Sequence, residues 1–445
     1  MIKTFRPWPV EQVWLLPPSV LELVPEDDPA HLVRDLVREE LDLSEILDEY
    51  DEERGYPPFH PAMMTALLLY AYTQGIYSSR RIARAVQTRV DFMAVTARQE
   101  PDFRTIARFR ARHLAALAGL FEQVLRLCQR AGMVALGHVA LDGTKVKANA
   151  SRHKAMSYDR MKKSEQELAA EVKRWFAKAE ELDAAEDREY GERRGDELPD
   201  WVKNKQKRLE KIRAAKAELE AEAKTLLATR RRDNRDDDPN KPRGGGKRMP
   251  KENGEPNDKA QLNFTDKDSK ILKTSDGFVQ GYNCQLAVDS ANQIIVAHAT
   301  VNEQCDTPQL PTLVCLIKSN TGRQARELSA DAGYLSEANL RELKRRHIRG
   351  YIATGRQRHS ATTTPPPKRG PNTGPLTVLM NQRLRRGAWR SRYRLRKQVV
   401  EPVIGQIKQN RSYRSFLLRG LSKVRLEWGL VCIAHNLAKL TAPRR

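Results

Sequence analysis

The sequence predicts an α/β protein: a mixed sheet covered by helices, preceded by a helical N-terminal domain and interrupted by a charged helical insertion. Three observations carry this. Residues 1–135 repeat apolar side chains at helical spacing. Beyond residue 136, strand-like and helix-like segments follow in the order β-(insertion)-β-β-α-β-α-β-α. Between the first and second strand, residues 156–262 are rich in Ala, Glu, Lys, Arg and Leu. The expected boundaries are therefore 1–135 for the helical domain, 136–155 with 263–445 for the sheet domain, and 156–262 for the insertion.

In the helical domain, His60-Pro61 opens a buried helix through Tyr70, since Pro is suited to a first helical turn. Ser78-Ser79 offers a serine cap to a helix in which Ile82 and Val86 share a face and Arg81 and Arg84 point elsewhere. Asp102 to Arg110 repeats that design. A longer helix over about 112–131 carries Leu114, Leu117, Leu120, Phe121, Val124, Leu125 and Cys128 at core spacing. Two short helices with basic faces have the outline of a helix-turn-helix.

The first strand is expected over Gly137–Asp142, continued by Thr144–Ala148. In the insertion, Leu209, Ile212, Leu219, Ala223 and Leu226 fall at heptad spacing, with Lys216 in the seam; a helical hairpin is predicted, with Gly195 and Pro199 between its arms. From Arg230 to Gly246 the composition cannot bury a core and predicts disorder. A solvated spacer and a DNA-gripping or dimerising arm both suit this insertion. Strands are then expected over 277–289 and 294–301 as a hairpin, over 326–331 and over 349–354. A helix capped by Asp306-Thr307-Pro308 and another from Ser336 lie between them.

Lys and Arg total 79 against 57 Asp and Glu, a net charge of +22, which favours a polyanionic partner. The five cysteines have no paired spacing, which suits reduced thiols. The first nine residues lack a signal-peptide run, and the longest apolar stretch, near Met63–Tyr72, is too short for a bilayer. A cytoplasmic, nucleoid-associated protein is expected. Asp142 and Asp331 each end an apolar strand, and Glu401 begins a basic amphipathic helix; gathered together they would suit a two-metal phosphoryl-transfer site. Asp266 and Asp268 read as an Asx-type turn, with a supporting metal role as the alternative. His138 and His298 read as core or surface residues.

These residues resemble bacterial insertion-sequence transposases of the DDE type, in the four/five superfamily, whose catalytic domain is ribonuclease-H-like. The marks are Phe59-His60-Pro61, Ser78 to Ile82, Arg104 to Arg110, Asp142-Gly143-Thr144-Lys145, Thr265 to Ser269, Gly281-Tyr282-Asn283, Asp331-Ala332-Gly333-Tyr334 and Glu401-Pro402-Val403-x-Gly405-Gln406-Ile407-Lys408. The resemblance implies Asp142, Asp331 and Glu401 as catalytic triad and metal ligands. It implies two Mg²⁺ ions, with Mn²⁺ as a substitute, Asp142 bridging both. It implies a transposase that binds its element's terminal inverted repeats, cleaves there and joins the ends to target DNA, as a homo-oligomer on DNA and away from membranes.

Many relatives carry a Tyr-Arg-Glu-Lys pattern around the Glu. Here Lys408 fits the spacing, Lys397 stands where Arg is usual, and Tyr393 is one residue further from Glu401 than expected. Tyr393, Arg394, Lys397 and Lys408 are thus the expected DNA contacts near the cut, joined by Arg81, Arg104 and Arg108 of the helical domain. Pro402 fits a first turn or kinks a longer helix. Phe103 stands where relatives often have His, and an apolar packing role suits it. The rival readings are a DNA-binding protein that has lost catalysis and a ribonuclease-H-like nuclease.

Overall fold

The computed structural model describes residues 19–441, save 51–57, 191–199, 234–249, 252, 275–276, 356–373 and 387–391. The N-terminal region is helical: α1 Pro29–Asp35, α2 Ser44–Leu47, α3 Pro61–Thr73, α4 Ser79–Thr88, α5 Val90–Thr96, α6 Phe103–Arg112 and α7 Leu114–Arg130. α3 is buried from Met64 to Thr73, as its all-round apolar sequence requires. The seven residues expected at the core face of α7 are all buried. Asp102 caps α6 by accepting from Thr105 N, but Ser78 precedes α4 without a side-chain cap bond, so the expected serine cap is corrected.

The sheet domain is mixed. Its strands are β1 His138–Lys147, β4 Lys270–Thr274, β5 Gly277–Asp289, β6 Ile295–Val301, β7 Glu327–Ala330 and β8 Arg349–Ile352; β2 Ala155–Ser157 and β3 Gln261–Asn263 form a separate two-stranded ribbon. β6, β5 and β1 pair antiparallel in turn, while β1, β7 and β8 pair parallel. That arrangement fits a ribonuclease-H-like domain. The parallel pairs need helical crossovers, and α10 Gln309–Thr321 and α11 Glu337–Arg345 lie between β6, β7 and β8 in sequence. β1 runs unbroken from His138 through Asp142 to Lys147, because its partner β5 pairs with it as far as Gly281. One strand lies outside the expected set. β4, whose residues lack a strong alternation, is a strand paired to the start of β5.

The insertion is the expected hairpin, with α8 Tyr158–Tyr190 and α9 Asp200–Asp233. Tyr158, Met161, Ile212, Ala215 and Leu219 make a small core of their own with Leu262 of β3. Leu226 is exposed rather than in the seam, and Lys216 is paired with Glu165 at 3.0 Å. α9 runs on to Asp233, into the first residues of the stretch predicted disordered; the rest of that stretch, from residue 234, lies outside the described residues, as do Gly195 and Pro199.

α12 Pro375–Arg386, α13 Arg396–Gly405 and α14 Leu421–Leu440 complete the chain. α14 packs on α7, α3 and β6 and buries Trp428, Leu430, Val431, Cys432, Ile433 and Leu437. Burying each of the larger side chains is worth about 1.5–3 kcal/mol. Asn436 of α14 takes both backbone groups of Ile295, at 2.9 Å each, where β6 lacks a strand on its outer side. Asp266 and Asp268 anchor this helix rather than forming an Asx turn: Asp266 accepts from Tyr282 Oη and Gly420 N, and Asp268 accepts from Leu421 N at 2.7 Å. One continuous core runs from the N-terminal helices through the sheet to α14.

Candidate active site

Parallel pairing of β1 with β7 covers only His138–Ala140, so β1 leaves its neighbour just before Asp142, and Asp331 follows the last residue of β7. A crevice opens where the two strands part, the usual place for a site in such sheets. Side chains alternate along a strand. Asp142 and Thr144 therefore face α13, while Gly143 and Lys145 face the opposite side of the sheet.

On the α13 side, one guanidinium joins two carboxylates. Arg396 Nη1 lies 2.9 Å from Asp142 Oδ2, and Nη2 lies 3.3 Å from Glu401 Oε1. Burial pushes the Asp142 carboxyl up to about 6; Arg396 opposes this, and Asp331 and Glu401 add to it. Burial works against the charge on Arg396, but Asp142, Tyr393, Glu401 and Asp331 outweigh it and hold its pKa above the ordinary arginine value. Asp331 turns its Oδ1 onto Gly333 N at 2.9 Å; its Oδ2 accepts no hydrogen bond from a described residue. Lys408 donates to Thr144 Oγ1 and Lys145 O, both at 2.8 Å, and so ties the segment after α13 to β1.

Pro402 lies inside α13, which continues through it. Lacking an N–H, it leaves the Gln398 carbonyl without its helical donor, and Gln293 Nε2 takes that carbonyl at 3.1 Å. The turn that follows, Gln406–Asn410, is π-helical. Lys408 is thus not two regular α-turns beyond Glu401, as expected, but sits on a widened turn, a local form frequent at functional sites.

The structure gathers Asp142, Glu401 and Arg396, with Tyr393 and Asp331 close enough to act on the charge of Arg396. Lys397 and Arg394 are exposed on the outer side of this segment. The arginine of the site is at 396, not 397. The signal was in the sequence: Tyr393-x-x-Arg396 is intact, and the extra residue falls between Arg396 and Glu401. Arg81, Arg104 and Arg108 stand apart, exposed on α4 and α6 with Arg80 and Arg84, and none of the five forms an ion pair with a described residue. Phe103 is not packed inward as expected: it is exposed, with Arg80 and Arg104 over its ring at 5.2 and 5.7 Å. His138 is buried against Ser329, and His298 packs edge-on to Phe121. All five cysteines are free thiols.

Among the described residues, no three His, Cys, Asp or Glu side chains stand close enough to share a metal ion as placed. The donors nonetheless fit a hard divalent cation, which prefers carboxylate oxygen. Three acidic side chains surround one internal cation, Arg396, and oxygens of Asp331 and Glu401 remain without hydrogen bonds from described residues. Withdrawal of Arg396 would leave a cluster of negative charge in the crevice.

Two family models match parts of the chain. Residues 18–112 match the family described as Transposase domain (DUF772), and residues 373–441 match the family described as Transposase DDE domain. Together the two matches indicate a DDE-type insertion-sequence transposase. The second match contains Arg396, Glu401 and Lys408, while Asp142 and Asp331 lie between the two matches. No curated protein and no solved structure matches the chain. Among the described residues, no helix is long and apolar enough to cross a membrane.

Proposed function

We propose that this transposase binds the terminal inverted repeats of its own element, cleaves the strand there and joins the freed end to target DNA. Asp142, Asp331 and Glu401 are the catalytic carboxylates. They hold two Mg²⁺ ions, for which Mn²⁺ substitutes. When bound, such ions stabilise charge on the attacking and leaving oxygens and activate water. The observation that carries this reading is the grouping of Asp142 and Glu401 on one guanidinium with Asp331 beside them, in a chain matching transposase families at both ends.

In the first step, water attacks the phosphodiester at the element end and a 3′-OH leaves. In the second, that 3′-OH attacks a target phosphodiester, joins its 5′-phosphate, and the target strand's 3′-OH leaves. Arg396 holds the carboxylates together in the resting protein. With DNA in the crevice, its guanidinium is suited to turn to a phosphate, for which its planar fork is matched. Tyr393, beside it, steers that movement. Arg394, Lys397 and Lys408 line the phosphate path near the cut. The region 19–135 grips DNA through α4 and α6, with Arg81, Arg104 and Arg108 on phosphates and Arg80 and Arg84 beside them. Oligomerisation on DNA and action at the nucleoid belong to the same reading.

The test is cleavage of a supercoiled plasmid bearing the element's ends, with Mg²⁺ and with EDTA, by the native protein and by Asp142→Asn. Cleavage and joining that need the cation and Asp142 support the reading. Cutting without joining or end preference favours a nuclease. Binding without cutting under any divalent ion favours a protein that has lost catalysis.

A further inference from the structure

Asp306 lies in the loop between β6 and α10, where the sequence makes it a helix cap. It is not one. α10 begins after Pro308 and has no side-chain cap bond. The Asp306 carboxylate instead turns under the sheet, on the face opposite to the Asp142 carboxylate. Its Oδ1 accepts from Asn283 Nδ2 and Gln285 Nε2, both at 2.7 Å, and lies 3.5 Å from Lys145 Nζ. Asn283 and Gln285 are fully buried and stand opposite Lys145 and Gly143 in the β1–β5 pairing. A buried amide N–H left without an acceptor is costly, so these two hold the acid firmly.

The same carboxylate reaches the other acidic segment. A Cβ on Gly143 would lie 2.9 Å from Asp306 Oδ1 and 2.6 Å from Gln285 Nε2; a Cβ on Gly333 would lie 3.1 Å from Asp306 Oδ2. Asp306 therefore fills the space between the residue after Asp142 and the turn that carries Asp331. Its neighbour reinforces the link: Thr307 Oγ1 donates to Gly333 O at 2.7 Å, and Asn339 Nδ2 joins Thr307 O to Tyr334 O. Tyr334 closes the loop by donating to Gln285 Oε1. Strand β1, strand β5 and the Asp331 turn thus meet on one carboxylate.

We propose that Asp306 is a positioning residue, a strut behind the sheet that sets the separation of Asp142 and Asp331 for sharing a cation. The inference rests on the metal-dependent reading above. Residues that orient metal ligands from behind typically cost about 10- to 100-fold in metal affinity when removed.

The experiment measures Mn²⁺ binding to the full-length protein by calorimetry, with melting temperature and affinity for a DNA end recorded alongside. The proteins are the native chain, Asp142→Asn, Asp306→Ala, Asp306→Asn and Thr307→Val. Asp306→Ala is expected to weaken Mn²⁺ about 10- to 100-fold while DNA affinity is unchanged. Asp306→Asn keeps an oxygen for both amides and is expected to recover most of that loss. Thr307→Val, which removes the bond from this loop to Gly333 O without touching the Asp331 carboxylate, weakens Mn²⁺ in the same direction and serves where Asp306→Ala does not fold. Native Mn²⁺ affinity in Asp306→Ala, or in Thr307→Val where that variant alone folds, with binding abolished in Asp142→Asn, overturns the strut and leaves the metal reading standing. If the native chain binds no Mn²⁺, both fall together.

Discussion

Arg396 and Asp142 form an ion pair at 2.9 Å with side chains only 10% and 16% exposed. A pair so shielded is costly to break from one side, because the remaining charge has neither water nor partner. Arg396 thereby acts as a resident cation among acids that otherwise repel one another.

Replacing it tests this. Arg396→Met is expected to lose about 3 kcal/mol of stability in EDTA, at the low end for removing one member of a buried pair. Added Mg²⁺ should then raise the melting temperature of the variant more than that of the native chain. Thermal melts with and without Mg²⁺ decide it; equal Mg²⁺ shifts in both proteins would exclude competition between guanidinium and metal.

Asp142→Asn removes a charge from the centre of the group. Cleavage should fall about a hundred- to a thousand-fold, from the several kcal/mol a bound cation supplies at about 1.4 kcal/mol per tenfold. Affinity for an end-containing duplex should stay within a few-fold, read by fluorescence anisotropy. Native cleavage in the variant would remove Asp142 from the chemistry.

Arg81, Arg104 and Arg108 lack carboxylate partners among the described residues, as phosphate ligands should. Each change to Ala is expected to lower the slope of log affinity against log salt by about one. Arg345, paired with Glu342 at 2.7 Å, serves as the control and should leave the slope alone. Phe103→Ala loosens the stacked Arg80 and Arg104 and should weaken binding a few-fold, from about 0.5–1 kcal/mol per exposed cation–π contact. An unchanged slope in all three arginine variants would move the DNA surface elsewhere.

Glu427 is buried inside α14, where it accepts from Leu417 N and Leu418 N. Burial raises its pKa above the ordinary carboxylate value, and those hydrogen bonds pull the other way without cancelling it. Its folded pKa then exceeds the unfolded one, so its contribution is full below the unfolded value and is lost as pH rises through the folded value. Glu427→Gln stays neutral throughout. Its melting temperature relative to the native chain should improve steadily as pH rises from about 4.5 to 7, and a difference that is flat or falls would contradict the sign.

Much of the fold was legible because its signals are local. Apolar spacing marked α3 and α7, and the strand order around the insertion marked the sheet. Pairing was not: β4 exists only as the partner of the first residues of β5. At the site, Asp142, Asp331 and Glu401 could be named from their segments, but their common partner could not. Arg396 was masked by a one-residue shift against Glu401, and Pro402 hid a helix that depends on Gln293, far away in sequence. Asp306 read as a cap because a cap needs only its neighbours, whereas its actual partners come from β1, β5 and the Asp331 turn.

α14 touches α3, α7 and β6 at once and supplies the interior with Trp428 and the run to Leu437. The earliest helices and the central strands are sealed by the same late segment. A ribosome must therefore release residues near 440 before the first hundred can settle into final packing. Nascent protein stays open until then, and loss of α14 would loosen the N-terminal helices and the sheet in one stroke.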